Sequence, residues 1–256
     1  MSFFTLVGVE LTKTRRSRIL FIMAAAAMML WMPSVLNADS NFKMQDVGIT
    51  PENSFFIQGF LAMTWFIFPA AMVVMTVLLT MTERQNGGLR KMLSLPVRPV
   101  WLCLAKFMVL LILAAMQILF CVGMYFFSAL AASRLQNYRF CLSPLFVFKQ
   151  AGLIFLASVP MLAVFWLLAV CIKTPIFSIG AGLASLVPSV LVINTKIWFA
   201  YPMAYPFFVV TAEYGKLAAN LDTAQPALFP WLPTALGITA LCLLISCLRF
   251  GQTERN

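Results

Sequence analysis

Residues 150–172 read QAGLIFLASVPMLAVFWLLAVCI and residues 174–195 read TPIFSIGAGLASLVPSVLVINT, with Lys173 the single charge between them. A helix of about 20 apolar residues spans the hydrocarbon core of a bilayer, and in lipid a helix satisfies its own backbone polar groups. The two stretches, 23 and 22 residues long, therefore read as consecutive membrane spans joined by a tight turn at Lys173, Thr174 and Pro175. Working outward, four more charge-free stretches appear at 19–38, 53–82, 107–133 and 223–248. The chain reads as one all-α integral membrane domain over 1–256, with spans near 18–37, 55–82, 100–132, 144–172, 175–195 and 228–249. Composition agrees: 62% hydrophobic and 10% charged residues leave too little polar surface to coat a water-soluble globule of this size.

The formal charge of +10 would suggest nucleic acid in a soluble chain, but here its distribution over the loops carries the information. With the N-terminus inside, the inner face holds twelve cations (Lys13, Arg15, Arg16, Arg18, Arg84, Arg90, Lys91, Arg98, Lys106, Lys173, Arg249, Arg255) against Glu10, Glu83 and Glu254, a net of +9. The outer face holds six cations against five carboxylates, a net of +1. The positive-inside rule then places both termini in the cytoplasm. The first apolar run is longer than the core of a secretory signal and is followed by five more spans, so it reads as a retained helix.

Several chemistries lose their residues. Histidine is absent, which removes the commonest general base and metal ligand. The six cysteines form no CxxC pair and read as small apolar packing residues. All eight carboxylates lie outside the charge-free stretches, whereas ion-coupled carriers and membrane-embedded enzymes usually need acidic groups inside the membrane. No GxxxxGK[ST] phosphate loop occurs in these 256 residues, so any uphill transport must draw its energy from another subunit. No cofactor or metal is expected on this chain.

Four segments carry candidate functional residues. Residues 3–16 place Phe3, Phe4, Val7 and Leu11 at helical spacing, with Glu10, Lys13 and Arg16 elsewhere on the wheel, as in a helix lying at the inner interface or a plain cationic anchor. The loop between spans two and three contains Glu83, Arg84, Gly87, Gly88, Leu89, Arg90, Met92, Leu93, Pro96 and Arg98. Its glycine pair permits a bend, and Leu89, Met92 and Leu93 with Arg90 and Lys91 make a short amphipathic helix stopped by Pro96. Such an element can seat in a cytosolic partner and transmit its motion, although a topogenic loop would also need the cations. In span five, Ser178, Ala181, Gly182, Ser185 and Ser189 form a small-residue stripe that suits close helix approach in lipid. Residues 196–230 combine aromatics, among them Trp198, Tyr201, Tyr205, Phe207, Phe208 and Tyr214, with Pro202, Pro206, Pro226 and Pro230. They read either as short helices at the outer leaflet, offering a sticky surface, or as aromatic anchors of the flanking spans. Pro69 is expected to kink span two.

Together the Phe/Leu-rich start with Glu10-x-x-Lys13, the six spans and the inner loop Glu83…Gly87…Arg90…Leu93…Pro96-x-Arg98…Lys106 resemble permease subunits of ABC-2 type exporters. The segment Trp198-x-x-x-Pro202-x-x-Tyr205-Pro206 and the overall length look most similar to lantibiotic-immunity permeases and their bacitracin-resistance relatives. The resemblance implies a bacterial plasma-membrane protein working with two ATP-binding cassette ATPase subunits, which hold the ATP and Mg, and with a second permease or a copy of itself. It implies no catalysis by this chain. Residues 83–98 would be the coupling element, with Glu83 and Arg90 making polar contacts and Leu89 and Leu93 seating the helix, and Lys173 and Thr174 a second inner contact. The cargo would be a membrane-associated antimicrobial peptide, handled at Trp198, Tyr201, Pro202, Tyr205 and Pro206. An exporter of a drug, lipid or glycan, and a non-transporting binding or sensory protein, are the alternatives.

Overall fold

The computed structural model describes residues 3–15, 19–84, 99–217 and 228–250. Every regular element among them is helical: α1 (Phe3–Arg15), α2 (Ile19–Leu36), α3 (Pro51–Ala62), α4 (Phe68–Arg84), α5 (Pro99–Gln136), α6 (Pro144–Cys171), α7 (Pro175–Ala184), α8 (Pro188–Val192), α9 (Tyr205–Leu217) and α10 (Leu228–Phe250). A 3-10 segment, Ala38–Val47, joins α2 to α3, and a π-turn, Met63–Ile67, joins α3 to α4. Six crossings are long and apolar enough to span a membrane: Ile19–Leu36, Pro51–Met81, Pro99–Gln136, Pro144–Cys171, Pro175–Val192 and Phe229–Phe250.

Local chemistry sets the ends. Proline occupies the first turn of α3, α6, α7 and α8, where its missing N–H costs nothing because that donor has no partner inside the helix. Asn137, with φ 50°, closes α5 in the left-handed conformation that asparagine tolerates better than most residues. Pro33 sits inside α2, and the helix runs through it to Leu36, the Asn37 N–H still donating to the Pro33 carbonyl at 3.0 Å.

A π-turn, Met63–Ile67, stands just before Pro69 in span two. There the Phe68 N–H reaches back to the Met63 carbonyl, which loosens the ladder just where proline cannot donate. Thr64 is buried in the turn, and its hydroxyl donates to the Phe60 carbonyl at 2.8 Å.

Span two packs closely on α2. Trp31 of α2 is fully buried, with ring centroids 5.9 Å from Phe55, 5.7 Å from Phe60 and 5.4 Å from Tyr125. Gly59 makes this possible, since a Cβ there would lie 2.4 Å from the indole ring. Lipid tails are as apolar as the side chains, so such contacts stabilise through close packing rather than through escape from water. Gly182 repeats the device where α7 meets α4, a Cβ there falling 2.6 Å from Val73. Ser178, Gly182 and Ser189 of the stripe are buried, and Ala181 and Ser185 half-buried. The structure thus places part of the stripe in a contact between spans five and two of the same chain.

Candidate functional site

Two places bring together described candidate residues. The first lies where α1 meets the start of α5. Phe3 packs on Trp101 with centroids 5.6 Å apart, and Leu6 and Val7 are buried on the same face. Phe4 is 82% exposed, so it leaves the apolar face on which the sequence put it. Glu10 moves the opposite way and is only 3% exposed. Its Oε2 accepts from Lys106 Nζ at 2.7 Å and its Oε1 from Lys13 Nζ at 2.6 Å. The Lys106 side chain is 1% exposed and that of Lys13 34%. A carboxylate and an ammonium withdrawn from water must be paired to persist, and here each bond is charge-assisted. Burial by itself would raise the Glu10 pKa. The charge and hydrogen bond of Lys106, joined by those of Lys13, outweigh it and hold the carboxyl below its ordinary 4.5.

This ion cluster fixes α1 to α5, the span that directly follows residues 85–98. Glu83 and Arg84 close α4, but the side chains of both, with Gly87, Gly88, Leu89, Arg90, Leu93, Pro96 and Arg98, lie outside the described residues. Lys173 and Thr174 occupy the turn from α6 to α7, exposed, with the Thr174 carbonyl accepting from Ser178 N–H at 3.1 Å. Deeper in the bundle Gln117 is fully buried and donates from Nε2 to the Met23 carbonyl at 3.3 Å, tying α2 to the middle of α5.

The second place lies toward the opposite ends of the spans. After α8 the chain turns back, and the Tyr201 hydroxyl donates to the Ser185 carbonyl. Ser185 stands ten residues along from Pro175, about 15 Å at the helical rise. The segment 193–204 therefore re-enters the thickness of the bundle before α9 rises beside α6. Trp198 stacks on Phe208 at 3.7 Å and lies 5.7 Å from Trp231, which in turn meets Tyr205 edge-on at 5.7 Å. Tyr205, Pro202 and Pro206 are buried, whereas Trp198 and Tyr201 are half-buried. The Tyr205 hydroxyl donates to the Phe199 carbonyl.

The proline-rich aromatic stretch is thus a wedge that holds α9 against α6 and α10. Its surface face is a groove of about 370 Å³ walled by Leu153, Leu156, Ala157 and Pro160 of α6, Tyr205, Phe208, Val209 and Ala212 of α9, and Trp231, Leu232 and Ala235 of α10. Gln150, Glu213 and Lys216 also line it, and Lys216 Nζ meets Glu213 Oε2 at 3.3 Å. Of the five outer residues singled out in the sequence, Tyr205 lines the groove. Trp231 was missed because it belongs to the sixth span, 33 residues from Trp198. Its buried indole N–H has no acceptor among the described residues.

Six apolar crossing helices with a re-entrant segment define an all-helical polytopic membrane protein. Residues 6–189 match the family described as ABC-2 family transporter protein, and the chain belongs to that family. It is accordingly a permease-type membrane component of transport, of a kind that works with ATP-binding cassette subunits. The match runs from α1 into α8 and ends before the re-entrant segment. No curated protein matches the chain significantly.

Proposed function

We propose that the chain is the permease of a bacterial plasma-membrane exporter that expels a membrane-associated antimicrobial peptide of the lantibiotic type, driven by ATP hydrolysis in two partner subunits. A second permease, related or identical, completes the assembly, and both termini are cytoplasmic. The observation that carries the exporter reading is membership of the ABC-2 family in a sequence that contains no phosphate-binding loop of its own.

In this reading residues 83–98 receive the ATPase motion. Because α5 follows directly and is clamped to α1 through Glu10 and Lys106, the interfacial helix and the third span move as one body. The aromatic wedge around Trp198 and the groove beside it supply apolar and amphipathic surface at membrane level, which supports a cargo that partitions into lipid.

The test has two arms. Purification of the tagged chain from native membranes should bring down an ATPase that contains a phosphate-binding loop, and its reproducible absence with the chain intact refutes the exporter reading. Cells expressing the complete set of subunits should survive higher lantibiotic concentrations. Replacing Glu83 and Arg90 should abolish that protection while the chain stays in the membrane. Protection that persists removes the coupling role from residues 83–98, and intact export of a drug, lipid or glycan without peptide protection reassigns the cargo.

A further inference from the structure

We propose that the groove between α6, α9 and α10 holds one acyl chain of a zwitterionic phospholipid with a primary ammonium headgroup, phosphatidylethanolamine in chemical class. The proposal goes beyond the cargo reading and does not depend on it. Depth along α6 carries the first part. Pro160 stands 11 residues from Cys171 and Gln150 stands 21, which at 1.5 Å per residue is about 16 Å and about 31 Å. The hydrocarbon core is about 30 Å thick, so the groove runs from the bilayer midplane to one headgroup boundary. That is the span of a single leaflet. Leu153, Leu156 and Leu232 on its walls are 43%, 66% and 55% exposed, so it opens sideways to lipid rather than into the bundle. Its volume of about 370 Å³ falls within the range of small-ligand sites.

The headgroup end carries the second part. α9 ends beside Gln150 with Glu213 and Lys216 3.3 Å apart, their side chains 15% and 51% exposed. A paired anion and cation at a headgroup boundary complements a headgroup that itself pairs a phosphate with an ammonium. Lys216 takes the phosphate, and Glu213 accepts from the ammonium N–H groups. A quaternary choline has no N–H to donate, and a glycerol headgroup offers no cation, so the pair discriminates among headgroups that carry the same chains.

The purified chain in mild detergent, supplied with matched-chain phosphatidylethanolamine, phosphatidylcholine and phosphatidylglycerol, is examined by native mass spectrometry. The intact protein should retain one phosphatidylethanolamine in preference to the other two. Lys216→Ala should reduce that retention roughly fivefold, the weight of one exposed charge pair. Glu213→Gln should invert the preference toward phosphatidylglycerol, and Ala212→Phe, which fills the groove from its wall, should abolish retention of all three. Each variant is first required to elute as the wild type does and to keep its helical signal. Equal retention of the three lipids, or a preference unchanged by Glu213→Gln and Ala212→Phe, overturns the assignment. Neither result bears on ATPase partnership or peptide protection, so failure here and failure of the exporter reading are separate outcomes.

Discussion

Removing the Glu10 carboxylate while leaving Lys106 in place should destabilise the chain by about 3 kcal/mol, the lower end of what is seen when one member of a buried ion pair is deleted. The figure follows from burial. Lys106 is 1% exposed, so solvent does not replace its 2.7 Å bond to Glu10 when the carboxylate is lost. Lys13 is 34% exposed and rehydrates, so its share is discounted to that of a surface pair, at most about 1 kcal/mol. Glu10→Gln tests this with nearly unchanged volume, and Lys106→Met removes the other member. Glu10→Met combined with Lys106→Met should recover to within about 1 kcal/mol of the wild type, because an apolar pair at this site carries no desolvation cost. For a chain of this length about 2–4 °C per kcal/mol applies, so Glu10→Gln should melt roughly 6–12 °C lower in detergent by fluorescence-detected chromatography, and Lys106→Met, which leaves Glu10 its 2.6 Å bond to Lys13, should melt lower by less. Single variants as stable as the wild type, or a double variant that loses the sum of both effects, would refute the reasoning.

The same carboxylate predicts a pH dependence: its folded pKa lies below 4.5, so its contribution is complete above that value and is lost as pH falls through the folded pKa, and Glu10→Gln should flatten this acid limb of a melting profile. Gly59→Ala places a methyl 2.4 Å from the Trp31 ring and should cost about 1–3 kcal/mol through overpacking, read as a lowered melting temperature; an unchanged one would mean that the ring moves freely. Gly182→Leu should separate α7 from α4 and lower the melting temperature, whereas Gly180→Leu, at a position with open space around its Cβ, should not. Cys171 is the one exposed cysteine of six and should react with a membrane-impermeant maleimide only after cells are opened, since labelling of intact cells would reverse the proposed topology.

The crossings were legible because a charge-free run of membrane length has few other uses, and all six stretches correspond to helices. The ion cluster was not, although both residues were visible. Glu10 lies three residues after Val7 and four before Thr14 and shares their buried face, but a carboxylate on a helical wheel is read as marking the wet side. Its partner is 96 residues away, beyond any local pattern. One signal was available: Glu10 is the only carboxylate before Asp39. After the re-entrant segment, Pro206 sits in the first turn of α9, where proline is compatible with a helix. The aromatic density fits a sticky surface or anchors of the flanking spans equally well in sequence, and the structure turns much of it inward onto Trp231 of the sixth span.

The π-turn of span two is, in effect, one surplus residue in an otherwise α-helical count. Deleting a single residue there, such as the half-exposed Trp65, would let the ladder close as a plain α-helix. Closing the ladder as α-helix with all five residues kept would instead swing everything on the N-terminal side by about 100° relative to α4. Phe55 and Phe60 would leave Trp31, and Gly59 would no longer face the indole. Span two therefore carries two reading frames of side chains, and the Met63–Ile67 turn is the splice that keeps both in phase with their neighbours.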